Sequence, residues 1–317
     1  MIIHAANTKP LLARLGETHR DLASVGCETY EELPALIGSF KPDVVYSIRF
    51  AGSSGFPSDA LLGPDGPAWI SIGGSGVDHL GIWDPDKVSV TNSSGVAADM
   101  MAEFIMGGFL HFSLDIPGLL LDQKERLWRS DRLMTPLAGK TLLIIGLGST
   151  GIALAKKAKA FGMNVVGTRA NPKPTPYVDE TFSADSLGNL LPEADLIAVC
   201  APLLASTRGL IREDAFSAMK SGTVLADVSR GGIVSTDALL QALHSGQMKG
   251  AILDVFETEP LPPNHPIWTA PNVTISPHCS SVFEGWEMAS MDMFIENFKN
   301  WIDGDPLENL VDPISGY

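Results

Sequence analysis

Three side chains of chemically useful types follow short apolar runs in the second half of the chain. Arg230 lies in "DVSRGGIV", Glu259 in "LDVFETEPLP" and His278 in "ISPHCSS". An imidazole can exchange a proton near neutral pH, a nearby carboxylate can orient it, and a guanidinium can bind an anion through parallel N–H donors. Each residue also has a structural alternative: an Arg that satisfies strand-end carbonyls, a solvated loop acid and a structural His.

The apolar runs predict the strands of a parallel sheet. They are continuous rather than alternating, which indicates burial on both faces, and helix-compatible stretches separate them. The runs are "TLLIIG", "NVVGT", "LIAVC", "GTVLADV", "GAILDV" and "NVTISPH". Since the carboxyl ends of parallel strands share one edge of a sheet, we expect the three side chains to meet there.

A glycine-rich turn follows the first of these runs. "GLGSTG" places Gly146, Gly148 and Gly151 between a strand and the predicted helix "STGIALAKKAKAF". In this context Gly146 permits a tight turn, Gly148 lets a pyrophosphate approach the backbone, and Gly151 lets the helix pack closely. The amides of Ser149 and Thr150 would point at the phosphate from the helix N-terminus. A glycine turn without a ligand is the alternative.

The acid expected about 20 residues beyond such a turn is missing. "VVGTRANPKP" holds Arg169 there, and no Asp or Glu appears before Asp179. A carboxylate would bind the adenine ribose hydroxyls and repel a 2′-phosphate, whereas an Arg would pair with that phosphate. The sequence therefore predicts NADP, with Thr168 and Lys173 as further contacts. A solvated loop arginine is the alternative.

The order of the elements predicts an α/β protein with two doubly wound parallel-sheet domains. Strand-like runs and helix-compatible stretches alternate through the first hundred residues, and a helical segment follows the sixth strand of the middle region. We expect a Rossmann-type dinucleotide-binding domain at residues 99–282. It would be inserted in a split, flavodoxin-like substrate domain formed by residues 1–98 and 283–317.

Composition narrows the classes of partner. The formal charge of −15 would repel nucleic acid and anionic lipid, so neither is expected to bind. The three cysteines form no C-x-x-C pair and the N-terminus shows no signal-peptide pattern, which predicts reduced thiols in a cytoplasmic protein. The apolar segment around residues 104–121 contains His111, Asp115 and Pro117, which favours a buried helix over a membrane span. No two histidines show metal-ligand spacing, so no metal is predicted.

Nearly the whole chain resembles the D-isomer-specific 2-hydroxyacid dehydrogenases, with the motifs in that family's order. They are "GGSGVDHL", "NSSGVAADMMAEF", "LAGKTLLIIGLGSTG", "APLLASTRGLI", "MKSGTVLADVSRGGIV", "DVFETEPLP" and "SPH". The resemblance implies that Arg230 binds and polarises a 2-oxo acid. It implies further that His278 exchanges the carbonyl proton and that Glu259 hydrogen-bonds His278.

The resemblance also implies contacts around these three residues. Asp254 matches a residue on the nicotinamide side, and Ser280 could bond the nicotinamide amide, although Cys279, Ser280 and Ser281 stand where the family often has Gly or Ala. Further cofactor contacts are expected at Pro202 and Thr207. Substrate contacts are expected at the backbone amides of Ser75 and Gly76 and at Arg49, for which an interdomain ion pair is the alternative.

With Arg169, the resemblance implies an NADP-dependent D-2-hydroxyacid dehydrogenase that reduces a small 2-oxo acid and forms a homodimer. Glyoxylate and hydroxypyruvate are the leading substrates. A nucleotide-sensing binding protein is the alternative, because the family's corepressor relatives keep the catalytic residues. A formate dehydrogenase is disfavoured, since that branch has Gln where this chain has Glu259.

Overall fold

Twelve strands and ten α-helices form in the part of the chain that the computed structural model describes, residues 1–49 and 55–313. The strands are β1 (Ile2–His4), β2 (Val25–Cys27), β3 (Val44–Ser47), β4 (Trp69–Ile72), β5 (Ser89–Asn92), β6 (Thr141–Ile145), β7 (Asn164–Thr168), β8 (Glu180–Phe182), β9 (Leu196–Val199), β10 (Thr223–Asp227), β11 (Met248–Leu253) and β12 (Val273–Ile275). The helices are α1 (Thr8–Thr18), α2 (Leu33–Phe40), α3 (Ser58–Leu61), α4 (Ala98–Ser113), α5 (Ile116–Glu125), α6 (Ser149–Ala160), α7 (Leu187–Leu190), α8 (Glu213–Ala218), α9 (Thr236–His244) and α10 (Trp286–Asp303). Short 3-10 turns cover Asp78–Leu80, Ala184–Ser186, Leu191–Glu193 and Pro266–Thr269.

The chain divides into two units. Unit 1 comprises Met1–Val96 and Phe283–Tyr317, and unit 2 comprises Ala97–Val282. The first division falls two residues before the boundary expected after residue 98 (98 − 96), and the second falls after residue 282.

Unit 1 is built on a parallel sheet in the order β2-β1-β3-β4-β5. This is the doubly wound order of flavodoxin-like folds. Apolar side chains fill both faces of the sheet: Ile2, Val45, Ile70 and Val90 belong to one core, and Ile3, Val44, Tyr46 and Trp69 to the other. Burial on both faces is typical of a parallel sheet.

Helix α10 completes the second of these cores, although it follows unit 2 in the sequence. Met291, Phe294 and Phe298 recur at helical spacing, are nearly inaccessible and pack in the core that holds Trp69 and Tyr46. At roughly 1.5–3 kcal/mol for each large apolar side chain, this face of α10 contributes several kcal/mol to unit 1.

Unit 2 contains a parallel sheet in the order β12-β11-β10-β9-β6-β7-β8. Counted within the unit, β6 is the first strand, so the order contains the 3-2-1-4-5-6 arrangement of the Rossmann fold with a seventh strand at one edge. Separate cores cover the two faces, with Leu143, Ile197 and Leu225 in one and Leu142, Ile144 and Ala226 in the other. The predicted fold class, two parallel-sheet α/β domains, is confirmed.

The segment with the strongest apolar character forms α4 and α5. Ala102, Ile105 and Phe109 of α4 are fully buried in the core of unit 2. Within the described ranges, no single helix is long and apolar enough to cross a membrane; α4 and α5 meet those criteria only as a pair, bent by 57°.

Candidate functional site

Six adjacent strands of unit 2 end at one edge of its sheet, and the loops after them carry the residues expected to do chemistry. Because every strand pair in this sheet is parallel, these loops lie side by side. In sheet order they hold His278 after β12, Glu259 after β11, Arg230 after β10, Pro202 and Thr207 after β9, the turn Gly146–Gly151 after β6, and Arg169 after β7.

His278 and Glu259 are hydrogen-bonded to each other in this row of loops. Nδ1 of His278 lies 2.7 Å from Oε2 of Glu259, and the backbone N–H of Phe256 donates to Oε1 at 2.9 Å. The two side chains are 35% and 33% exposed, so the pair is open to a small molecule. Since Nδ1 faces the carboxylate, Nε2 is the ring atom positioned to exchange a proton with a ligand.

The carboxylate of Glu259 is held in its charged form. Partial burial favours the neutral acid, but the hydrogen bonds from His278 and Phe256, with the charges of His278 and Arg230, outweigh it and lower the pKa of Glu259. A carboxylate that stays ionised through neutral pH can stabilise a protonated imidazole beside it.

Arg230 lies close to this pair because its loop packs against the loop after β11. A Cβ added to Gly231 would lie 2.1 Å from the carbonyl carbon and oxygen of Phe256, so only glycine permits the approach. Nη1 of Arg230 donates to the carbonyl of Ser229 at 2.8 Å. The charge of Arg230 also contributes to the low pKa of Glu259.

Asp254 anchors the loop that carries His278. Its carboxylate is 1% exposed and accepts the hydroxyls of Ser276 at 2.6 Å and Ser280 at 2.5 Å, and the backbone N–H groups of Cys279 at 2.9 Å and Ser280 at 3.1 Å. Its carbonyl accepts the N–H of His278 at 2.9 Å. His278 has a φ of +52°, a conformation that costs energy for a residue with a Cβ, and this network holds it there.

This network gives Asp254 and Ser280 a role that the sequence did not indicate. Both side chains are 1% exposed, and they bond each other. Their contacts with a nicotinamide remain predictions. The only signal in the sequence was the pair of serines, Ser276 and Ser280, on either side of the His in "ISPHCSS".

Asp227 is a second buried carboxylate at this edge, and sequence reasoning missed it. It lies at the end of β10, is 3% exposed, and accepts the N–H of Ser229 at 3.0 Å and the hydroxyl of Ser229. Burial raises its pKa to about 7, with the charge of Asp254 adding to the shift and the Ser229 bonds and Arg230 opposing it. The signal was an acid closing the apolar run "TVLAD" just before Arg230.

The glycine turn has the shape that a dinucleotide pyrophosphate needs. Gly146 has a φ of +103°, and a Cβ there would lie 2.6 Å from the amide nitrogen of Ala201. A Cβ on Gly151 would lie 2.3 Å from the carbonyl oxygen of Gly146, so the helix can pack this closely only without a side chain. A Cβ on Gly148 would meet nothing within 4 Å, which leaves open space over the N-terminus of α6. This geometry fits the phosphate-binding turn of the dinucleotide fold.

Arg169 follows the strand next to this turn and is half-buried. The carbonyl of Thr168 accepts the N–H groups of Gly146 and Leu147 at 3.1 and 3.0 Å, which ties the end of β7 to the turn. Thr168 is 2% exposed, and its side-chain contact with a cofactor remains a prediction. The first acid that follows Arg169 in the sequence is Asp179, and it lies at the opposite end of β7. Its carboxylate accepts the N–H of Val165, near the start of that strand, at 2.8 Å.

Thr207 closes the loop after β9. Its hydroxyl donates to the carbonyl of Pro202 at 2.6 Å and accepts the N–H of Leu204 at 2.8 Å. The same loop begins at Ala201, the residue against which Gly146 packs. The cofactor contacts of Pro202 and Thr207 remain predictions.

The substrate contacts expected in the first hundred residues belong to unit 1. Arg49 is exposed just after β3, and Ser75 and Gly76 lie in the turn after β4. This turn is held by Asn92, whose Nδ2 donates to the carbonyl of Ser75 at 2.8 Å. The participation of these residues in substrate binding remains a prediction.

Known proteins share this sequence pattern. A family model described as D-isomer specific 2-hydroxyacid dehydrogenase, NAD binding domain, matches residues 107–280. A glyoxylate reductase of Aeropyrum pernix is 34% identical over 261 residues, which are 77% of this chain and 75% of that protein. A D-3-phosphoglycerate dehydrogenase of Methanocaldococcus jannaschii is 33% identical over 252 residues; the match covers 76% of this chain and about half, 47%, of that protein.

A solved structure shares the architecture. An NADPH-dependent glyoxylate/hydroxypyruvate reductase from Sinorhizobium meliloti, in complex with NADP and sulfate, has a TM-score of 0.85 at 26% identity, covering 100% of this chain and 99% of that one. The chain therefore belongs to the family of D-isomer specific 2-hydroxyacid dehydrogenases, as its motifs indicate, and unit 2 carries the NAD-binding domain of that family.

Proposed function

We propose that the protein is an NADPH-preferring reductase that converts a small 2-oxo acid to a D-2-hydroxy acid. The observation that carries the proposal is the His278–Glu259 pair, 2.7 Å apart, with Arg230 beside it. These residues offer a proton donor with a fixed direction and a cation for an anionic substrate. They lie on the same sheet edge as the glycine turn that fits a dinucleotide.

In this proposal His278 acts as the general acid. Its Nδ1 donates to Glu259, so the protonated ring delivers a proton from Nε2 to the carbonyl oxygen of the substrate. A bound nicotinamide cofactor supplies the hydride that reaches the carbonyl carbon. Arg230 holds the substrate carboxylate and favours the negative charge that develops on the carbonyl oxygen.

The preference for NADPH rests on Arg169. Its guanidinium extends from the end of β7, where an NAD-preferring fold has an acid, and no carboxylate of the described ranges lies within 4.0 Å of it. A ribose 2′-phosphate would supply the missing anion through a charge-assisted fork. The S. meliloti reductase, which is NADPH-dependent by its own description, has the same architecture.

Glyoxylate and hydroxypyruvate are the proposed substrates. Relatives with these activities in their names support the proposal, among them the A. pernix enzyme and a mouse glyoxylate reductase/hydroxypyruvate reductase that is 34% identical over 222 residues. We assign substrate contacts to Arg49 and to the amides of Ser75 and Gly76 in unit 1, and cofactor contacts to Asp254 and Ser280 in unit 2.

We further propose a homodimer, supported by exposed apolar side chains in the segment after α5. Trp128 is 98% exposed and Leu133 is 92% exposed. Arg132, which lies between them in the sequence, forms ion pairs with Asp115 and Asp122 and so fixes the segment to α5. An ordered apolar surface of this kind is typical of a protein interface. A second copy of the chain is the proposed occupant.

The cytoplasm is the proposed compartment, because Cys27, Cys200 and Cys279 are all free thiols.

A panel of 2-oxo acids assayed with NADPH and with NADH tests the function directly. We expect glyoxylate and hydroxypyruvate to be reduced with NADPH. Binding of NADPH without turnover of any 2-oxo acid would favour the nucleotide-sensing alternative. Reduction restricted to larger 2-oxo acids would correct the substrate and keep the reaction class.

A further inference from the structure

A cavity of about 230 Å³ opens at the other edge of the unit 2 sheet, where β6, β9, β10 and β11 begin. The apolar side chains of Leu137, Leu196 and Val224 lie along its wall, and three lysines line it: Lys140, Lys220 and Lys249. Strands of five or six residues separate it from the loops of Arg230 and Glu259, roughly 15–20 Å at about 3.3 Å per residue. It is therefore distinct from the site described above.

The charge in this cavity is unbalanced. Asp195 also lines it, and Oδ1 of Asp195 lies 3.7 Å from Nζ of Lys140 and 3.5 Å from Nζ of Lys220. The other oxygen, Oδ2, accepts the backbone N–H of Thr141 at 2.9 Å. No carboxylate of residues 1–49 and 55–313 lies within 4.0 Å of the Lys249 ammonium. Three ammonium groups and one carboxylate leave a charge of +2 (3 − 1) in a chain of net charge −15.

Lys249 lies at a register shift between β10 and β11 and lines the cavity. Thr223 pairs with Met248 and Val224 pairs with Gly250, so Lys249 is an extra residue in β11 with no counterpart in β10. Bulges are enriched beside functional sites. Met248 and Gly250, on either side of Lys249, are buried, whereas Lys249 is exposed at the cavity.

The turn before β10 forms a rigid wall of the same cavity. The N–H of Gly222 donates to the carbonyl of Gln247 at 2.8 Å, and Nε2 of Gln247 donates to the carbonyl of Met219 at 2.8 Å. The hydroxyl of Thr223 donates to the carbonyl of Lys220 at 2.8 Å. The lysines therefore extend from an ordered frame, which lowers the entropy cost of binding a ligand between them.

We propose that this cavity binds a small organic anion, one that places a carboxylate or phosphate among the three lysines and an apolar body against Leu137, Leu196 and Val224. Lys249 and Lys140 contribute the excess positive charge. Lys220 also donates to the carbonyl of Glu193 at 2.7 Å, which makes it part of the frame as well as of the site.

Phenyl phosphate and benzoate serve as probes of the two anion types, and benzyl alcohol as the uncharged control. Titrations of the full chain saturated with NADPH would follow methyl resonances of Leu137, Leu196 and Val224. We expect at least one of the two anions to shift these resonances and benzyl alcohol to leave them unchanged. If only phenyl phosphate shifts the resonances, the cavity is a phosphate site. If only benzoate shifts them, it is a carboxylate site.

Lys249→Gln should raise the Kd of the bound anion about three- to fivefold, as expected for the loss of one exposed charge pair. The double variant Lys140→Gln/Lys249→Gln should raise it about tenfold or more. Lys156→Gln, an exposed lysine of α6 outside the cavity, is the matched control and should leave the Kd unchanged. Melting curves confirm that the variants fold. The proposal is wrong if neither anion moves the three methyl groups, or if Lys249→Gln and Lys156→Gln bind the anion equally well.

Discussion

The imidazole of His278 and the carboxylate of Glu259 lie 2.7 Å apart although 18 residues separate them in the chain (278 − 259 − 1). They meet because β11 and β12 are parallel neighbours, so that the loops after both strands leave the sheet at the same edge. Asp254 then fixes the approach of the His278 loop through its carboxylate and its carbonyl. The geometry of this pair thus depends on strand order and on one buried acid.

Replacing the imidazole tests the general acid. His278→Asn should lower kcat by roughly 10²–10⁴, the usual contribution of a positioned proton donor, while the affinity for NADPH, measured by fluorescence titration, changes little. His244→Asn changes an exposed histidine of α9 and should leave kcat unchanged. Near-normal turnover of His278→Asn would remove this residue from the mechanism.

The charge of Glu259 should set the pH dependence of reduction. Because its pKa is lowered, the carboxylate is ionised through neutral pH and supports the protonated imidazole. Glu259→Gln keeps the shape without the charge, so the alkaline limb of kcat/KM for reduction should move to lower pH. Glu257→Gln alters an exposed acid two positions away and should leave the profile unchanged. An unchanged profile in Glu259→Gln would argue against the functional pairing.

Cofactor choice should depend on Arg169. We expect kcat/KM at least roughly tenfold higher with NADPH than with NADH, about 1.4 kcal/mol, within reach of one charge-assisted pair. Arg169→Asp should reverse the preference, because a carboxylate repels the phosphate and binds ribose hydroxyls. Arg20→Asp makes the same charge change in unit 1 and should have no effect. Equal use of both cofactors by the wild type would show that Arg169 does not read the phosphate.

Substrate recognition should require the two parallel N–H donors of the Arg230 guanidinium and not its charge alone. Arg230→Ala should abolish useful turnover, and Arg230→Lys should be poor, because an ammonium cannot form two parallel hydrogen bonds. The 2-oxo amide keeps the ketone and loses the negative charge, so kcat/KM for it should fall far below the value for the acid. Reduction of both compounds at similar rates would contradict a carboxylate clamp.

Asp227 should make the stability depend on pH. Folding raises its pKa from 3.8 to about 7, so its stabilising contribution is complete below about pH 4 and is lost as the pH rises through about 7. Asp227→Asn keeps an acceptor for Ser229 and cannot ionise. The melting temperature of the wild type should therefore fall relative to this variant between about pH 4 and about pH 7. Parallel curves for the two proteins would show that Asp227 does not titrate in this range.

The arrangement of unit 2 could be predicted because the sequence of each strand is itself a recognisable apolar run. Runs such as "TLLIIG" and "GTVLADV" are apolar throughout, which indicates a sheet covered on both faces, and a parallel sheet places every strand end at one edge. That reasoning placed Arg230, Glu259 and His278 in one row, where the structure has them.

The supporting contacts could not be predicted in this way. The bonds of Asp254 to Ser276 and Ser280 join residues more than twenty positions apart, and the spacing of charges along the chain does not report such contacts. The burial of Asp227 could not be predicted, because an acid at the end of an apolar run is equally typical of a solvated turn. The unpaired position of Lys249 depends on the register between β10 and β11. That register is determined by the two paired strands together, so the sequence of one strand does not predict it.

The position of α10 has a consequence for synthesis of the protein on the ribosome. The core that holds Trp69 and Tyr46 is incomplete until Phe294 and Phe298 have been made, whereas unit 2 is a single uninterrupted segment. At roughly 5–20 residues per second, about 190 residues separate Val96 from α10 and take on the order of 10–40 s to translate. During this interval the first 96 residues form a nascent chain with an exposed apolar sheet face, while the inserted unit can already fold. The part made first is therefore completed last.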